Sequence, residues 1–150
     1  MGLLGLCLEL PFATAALLSY NATMLSRITK IVSGGQTGAD IGALDAAICC
    51  NVPHGGWCPK GRKQEKRRKI PARYNLEEMT TGDYLKRTEA NTVDSDATLV
   101  LTFGELAGSS RRTQEFALKH GKPCLHLDIA PLSINDVTTG FSAWHSEVCA

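Results

Sequence analysis

The chain has 150 residues, 43% of them apolar, and its 16 basic and 15 acidic side chains leave a net charge of +1. That length and apolar content suit one α/β domain with its own core, and the near-neutral balance excludes a dedicated nucleic-acid binder. The cysteines, at positions 7, 49, 50, 58, 124 and 149, form no Cys-x-x-Cys pair and no zinc-finger spacing, which favours packing thiols in a reducing cytosol over a disulfide scaffold.

Residues 1–18 are strongly apolar but carry Glu9 and Pro11 and lack a basic lead-in. They make a poor signal peptide and a poor membrane span. Met24 stands just before the first β-type run, so residues 1–23 read as an atypical extension or a docked segment, and 24–150 as a single domain. No other stretch is apolar enough to cross a bilayer, no membrane partner is expected, and a cytoplasmic location follows as an expectation.

Residues 28–32 form a β-prone run that stops at Ser33-Gly34-Gly35-Gln36-Thr37-Gly38-Ala39-Asp40, and an amphipathic segment over 40–50 begins at once. A strand, a glycine loop and a helix in that order leave the first helical N–H groups, and the positive end of the helix dipole, facing whatever sits on the loop. An oxyanion is the natural guest, although a plain structural turn fits the same residues. The loop is neither a Walker A, for want of Gly-Lys-Ser/Thr, nor a Gly-x-Gly-x-x-Gly fingerprint.

Asn51 and Pro53 close the helix, and 52–57 read as a short strand or extended segment entering a long polar connection over 58–73. Seven residues between Lys60 and Lys69 are basic, which makes this stretch a solvated loop or an electrostatic funnel for an anion. Helical spacing returns over 83–93. Residues 97–103 are the clearest buried strand. A second small-residue loop over 104–112 follows, then a helix expected over 113–120 with Gly121 as its stop, and a strand over 124–127 opened by Pro123. Such β-loop-α steps in series predict an α/β, Rossmann-like three-layer fold: a parallel sheet flanked by helices, with ligands at the carboxyl ends of the strands.

The stretch 33–40 is joined, in order, by Pro53-His54-Gly55-Gly56-Trp57-Cys58-Pro59-Lys60-Gly61-Arg62, Ile70-Pro71-Ala72-Arg73-Tyr74, Arg87-Thr88-Glu89-x-Asn91-x-x-Asp94-Ser95-Asp96 and His120-Gly121-Lys122-Pro123. This series resembles the molybdenum-cofactor carrier family, which is similar in fold to the lysine-decarboxylase-like (LOG) group. The resemblance implies a Rossmann-like homo-oligomer that holds and protects molybdenum cofactor (molybdopterin, a phosphorylated pterin bearing oxidised metal), with molybdoenzymes as recipients. Two departures stand out. The family's Gly-Gly-Thr-x-x-Thr-x-Glu loop is here Gly108-Ser109-Ser110-Arg111-Arg112-Thr113-Gln114-Glu115, where Ser110 can replace the threonine hydroxyl, Ser109 adds a Cβ, and the arginines either strengthen anion binding or point outward. The family's last strand, which carries an Asn-Val-Ala-Gly-Pro-like segment, is expected to be missing.

For such a small anionic ligand, Gly34, Gly35, Gln36, Thr37 and Gly38 suit one charged end, and Gly108, Ser109, Ser110 and Thr113 at the second loop–helix junction suit the other. His54 and Trp57 bring a ring donor and an aromatic face to the same edge, Trp57 as a stacking platform or as a core or lid residue. Lys60, Arg62 and Arg87 are the cationic candidates. Asn91 shares with Arg87 and Thr88 a helical turn that is polar without reason unless it meets a ligand or a partner subunit. Asp40 and Asp94 could orient neighbouring donors. Cys58 is conceivable as a soft metal ligand, but a lone cysteine before proline is more often structural. The alternative reading is an enzyme, a nucleotide phosphoribohydrolase of the LOG type, or a nucleotide-binding module. Its Pro-Gly-Gly-x-Gly-Thr-x-x-Glu loop is not matched: Glu115 lies one helical position early, which swings its carboxylate by ~100°. No catalytic constellation stands out among the motifs.

Overall fold

The computed structural model describes residues 28–149 except 66 and 67, so the expected extension at 1–23 lies outside the described residues. Eleven elements follow in chain order: β1 (Ile31–Val32), α1 (Ala39–Cys49), β2 (His54–Gly55), β3 (Trp57–Cys58), a 3-10 turn (Lys60–Arg62), β4 (Glu77–Glu78), α2 (Tyr84–Val93), β5 (Thr98–Thr102), α3 (Gly108–Lys119), β6 (Cys124–Asp128) and α4 (Ile134–Val148).

Among the described residues the six named strands pair in parallel, as expected of β-loop-α steps, with Ile31 opposite His54, Trp57 opposite Glu77, and Thr98 to Thr102 opposite Cys124 to Asp128. The pairs stand as three two-stranded units rather than the one sheet expected. Gly56 explains part of this. Its φ of 125° breaks the chain between β2 and β3, and a Cβ there would meet the Ser33 carbonyl oxygen at 2.4 Å. Glycine is needed for that approach, and the break sends β2 to β1 and β3 to β4.

Local chemistry sets the helix limits. α1 ends in a Schellman closure, with Asn51 at φ 54°, its N–H donating to Ile48 O at 3.2 Å and that of Val52 to Ala47 O at 2.8 Å. α3 closes in the same way, Gly121 N–H to Leu118 O at 3.1 Å and Lys122 N–H to Ala117 O at 2.9 Å. α2 opens on Asp83, whose carboxylate accepts from the N–H groups of Leu85 and Lys86. At its other end Lys122 Nζ donates to the carbonyls of Val93 and Ser95, a cation against the negative end of the helix dipole. α4 opens on a Ser133/Asp136 capping box.

The main core gathers Leu44, Cys58, Ile70, Tyr74 and Leu76, with Ile41 packed against them. Leu44 is fully buried, a burial that contributes about 1.5–3 kcal/mol. Tyr74 enters this core ring-first and keeps its hydroxyl satisfied, donating to Asp45 Oδ1 at 2.8 Å and accepting from Arg73 Nη2 at 2.6 Å. α2 packs on both β3 and α3, so it bridges this unit to the one built on β5 and β6.

Candidate functional site

The first glycine loop runs from β1 to α1 against Arg87 of α2. Asp40 Oδ2 accepts the Gln36 backbone N–H at 3.0 Å and lies 3.5 Å from Arg87 Nη1, so it orients both donors. Arg87 is only 7% exposed. Its Nη2 donates to Thr88 Oγ1 at 3.2 Å and its guanidinium carbon stands 6.0 Å from the Tyr84 ring centroid. Its Nε, and the nearby Gln36 Oε1, are buried without a partner. The guanidinium lies so close to the loop that a Cβ on Gly34 would be 1.4 Å from Nη1. A buried cation with spare donor capacity, held against a bare backbone, is suited to an oxyanion.

Helix starts add to this. α1, which follows Gly38, and α3, which follows Ala107, have no side-chain cap, whereas α2 and α4 are capped by Asp83 and Ser133. The first-turn N–H groups of the two loop–helix units are therefore not claimed by a capping side chain.

The described part of the basic stretch is neither a free loop nor an open funnel. Gln36 Nε2 donates to the Lys63 carbonyl at 3.1 Å, Gln64 Nε2 to the Gly35 carbonyl at 2.9 Å, and Thr37 Oγ1 to Glu65 Oε2 at 2.6 Å. Residues 63–65 thus lie across the glycine loop as a strap.

Several expected contacts are corrected. Arg62 spends its fork on main-chain carbonyls: Nε on Ile70 and Nη1 on Leu76, both at 3.1 Å, with Nη2 on Pro71 at 2.9 Å and Tyr74 at 3.0 Å. It staples the 70–76 segment and has no fork left for a ligand. Asn91 clamps Trp57, its Oδ1 accepting the Trp57 N–H at 2.7 Å and its Nδ2 donating to the Trp57 carbonyl at 3.0 Å. The Trp57 indole N–H donates to Asp94 Oδ2 at 2.7 Å. Its ring lines a cleft of about 490 Å³ with Met79, Lys86 and Glu89, and no glycine-loop residue takes part in that lining. His54 Nε2 accepts the Asn75 N–H at 3.2 Å. Lys60 is exposed on the 3-10 turn.

The second junction is also displaced from the expected place. α3 begins at Gly108, so Ser109 and Ser110 occupy its first turn, and Thr113 lies inside the helix with its hydroxyl donating back to the Ser109 carbonyl at 3.1 Å. Thr113 is therefore not a junction residue. Arg111 folds back onto the Leu106 carbonyl and Arg112 pairs with Glu115 at 2.7 Å.

Sequence reading missed the polar cluster where β5 and β6 end. The Thr102 hydroxyl donates to the Gly104 carbonyl at 2.7 Å and accepts from His126 Nε2 at 2.8 Å. Asp128 Oδ1 accepts the N–H groups of Gly104 at 2.8 Å and Ala130 at 3.0 Å, and these bonds hold its carboxyl below the ordinary range. The available signal was the polar residue closing each strand. Cys58 is fully buried in the main core, and burial pushes its thiol up, as suits a packing residue. Among the described residues no group of three His, Cys, Asp or Glu could hold a metal ion, and no helix is long and apolar enough to cross a membrane.

Parallel strands that feed uncapped helix starts, with a buried arginine against a glycine loop, define a Rossmann-like α/β fold. The chain belongs to the circularly permutated YpsA SLOG family, which matches residues 31–149. It is 52% identical to a putative molybdenum carrier protein from Syntrophus aciditrophicus SB, whose 1.45 Å crystal structure aligns over 81% of this chain and 76% of its own with a TM-score of 0.77. No curated protein matches the chain. The LOG-related, Rossmann-like family implied by the ordered motifs is thereby borne out.

Proposed function

We propose that the protein binds and shelters molybdenum cofactor as cargo, holding its phosphate or its oxidised metal end at the first glycine loop. The observation that carries this reading is Arg87: a cation 7% exposed, with an unpartnered Nε, pressed on the Gly34 backbone. In this reading Arg87, the Thr37 hydroxyl and the N–H groups of Thr37 and Gly38 take one anionic end, while the N–H groups of Gly35 and Gln36 stay on Ser33 and Asp40. Ser109 and Ser110, in the uncapped first turn of α3, take the other. The name of the Syntrophus relative supports a molybdenum-related ligand. Delivery to molybdoenzymes in the cytoplasm, by a homo-oligomer, completes the proposal.

The test is direct. Protein expressed in cells that make the cofactor is analysed for molybdenum and pterin by mass spectrometry, then mixed with cofactor-free nitrate reductase. Retained cofactor and restored reductase activity, both lost in Arg87→Met, are expected. A chain that carries no pterin and instead releases free base from nucleoside monophosphates would replace the carrier by the phosphoribohydrolase.

A further inference from the structure

We infer that Glu65 is a built-in competitor for the first glycine loop: its carboxylate occupies the Thr37 hydroxyl, and an incoming oxyanion has to displace it. This rests on the reading that the loop takes an anion, for which the buried, unpartnered Arg87 Nε is a sign independent of the helix start.

The geometry is that of a tethered stand-in. Thr37 Oγ1 donates to Glu65 Oε2 at 2.6 Å, a charge-assisted bond. Two amide side chains fix the register that brings the carboxylate there, Gln36 to the Lys63 carbonyl and Gln64 to the Gly35 carbonyl. Glu65 is the one acidic residue between Lys60 and Lys69. A run that otherwise attracts anions thus presents its single carboxylate to the donor an anionic ligand would use. Both Thr37 and Glu65 are exposed, so the bond is reached and exchanged from solvent, as a competitor must be.

Isothermal titration of the full chain with inorganic phosphate and with neopterin monophosphate tests the inference. Glu65→Gln and Glu65→Ala are expected to bind about fivefold tighter than the parent chain, because the fraction of loops open to ligand rises. In a Thr37→Val background the Glu65 substitution should give no gain. A second readout is the rate of trypsin cleavage after Lys63, Arg68 and Lys69. It should rise in ligand-free Glu65→Gln, and in the parent chain when neopterin monophosphate is added. Binding by the parent chain with no gain in either Glu65 variant, or protection of these bonds by the probe, overturns the competitor. Absence of binding by every form, whatever the cleavage rates, overturns the anion-site reading and the competitor with it.

Discussion

Arg87 Nη1 stands where a side chain on Gly34 would begin, since a Cβ on Gly34 would lie 1.4 Å from it. Gly34→Ala must therefore push the guanidinium away or strain the loop, at a cost of about 1–3 kcal/mol. Thermal unfolding is expected to show the loss, and phosphate titration a parallel loss of affinity. Gly42, within α1, is the control: a Cβ there meets nothing within 4 Å. Gly42→Ala should raise stability by about 1 kcal/mol through helix propensity alone.

Asn91 satisfies both main-chain polar groups of Trp57. Asn91→Ala leaves that N–H and C=O without the clamp and is expected to cost about 1–3 kcal/mol in urea unfolding. Asn91→Asp should not rescue it, because a carboxylate faces the Trp57 carbonyl in place of the Nδ2 donor. An Asn91 that acted only on ligand would leave the unfolding midpoint in place.

Cys58 and the neighbouring Cys49 and Cys50 should separate in a labelling experiment. Cys49 and Cys50 are exposed, while Cys58 is buried and its thiol is raised above the ordinary 9.0 by that burial. Iodoacetamide at mildly alkaline pH is expected to modify the first two and spare the third, as mass spectrometry of peptides would read. The sign for stability follows. Above pH 9.0 the unfolded chain ionises this thiol while the native chain keeps its proton, so stability falls as pH rises from there towards the native value. Cys58→Ala, less stable for its cavity, should lack that slope.

Asp128 works in the opposite direction. The N–H groups of Gly104 and Ala130 hold its carboxyl below 3.8, the value of the unfolded chain. Its contribution is complete above that value and is lost as pH falls through the lower native one. Asp128→Asn is expected to be less stable than the parent at neutral pH and to converge with it in strong acid, measured by urea unfolding at the two extremes.

The parts of the fold that sequence made legible are those governed by neighbours in the chain. The glycine loop and the start of α1 follow from a β-prone run and three glycines, whereas the apolar residues of α1 do not gather on one face as an amphipathic segment would. The stops at Asn51 and Gly121 are local left-handed closures, and β5 lies inside the expected 97–103 run. The start of α3 was hidden because Gly108, Ser109 and Ser110 have loop-like composition, yet serine is well tolerated in a first helical turn, and the Arg111 contact to Leu106 braces it. Arg62 and Asn91 are of a type that suits an anion. Their real partners are main-chain groups between 8 and 34 residues away, which no local pattern discloses. The strap is masked by charge: among seven basic residues, Gln64 and Glu65 are the two whose side chains touch the glycine loop. Of the candidate site, the loop and Arg87 could be read in advance, but not the burial that makes Arg87 informative.

α2 touches both the β3 strand beside the main core and the part built on β5, β6 and α3. Arg87 reaches Asp40 and Asn91 holds Trp57 on one side, while Glu89 accepts from Lys119 and His120, and Lys122 grips the helix end, on the other. Among the described residues no strand pairing joins these two parts. Deuterium uptake in α2 should thus report whether the molecule opens as a single cooperative body, since unzipping this helix frees both flanks together.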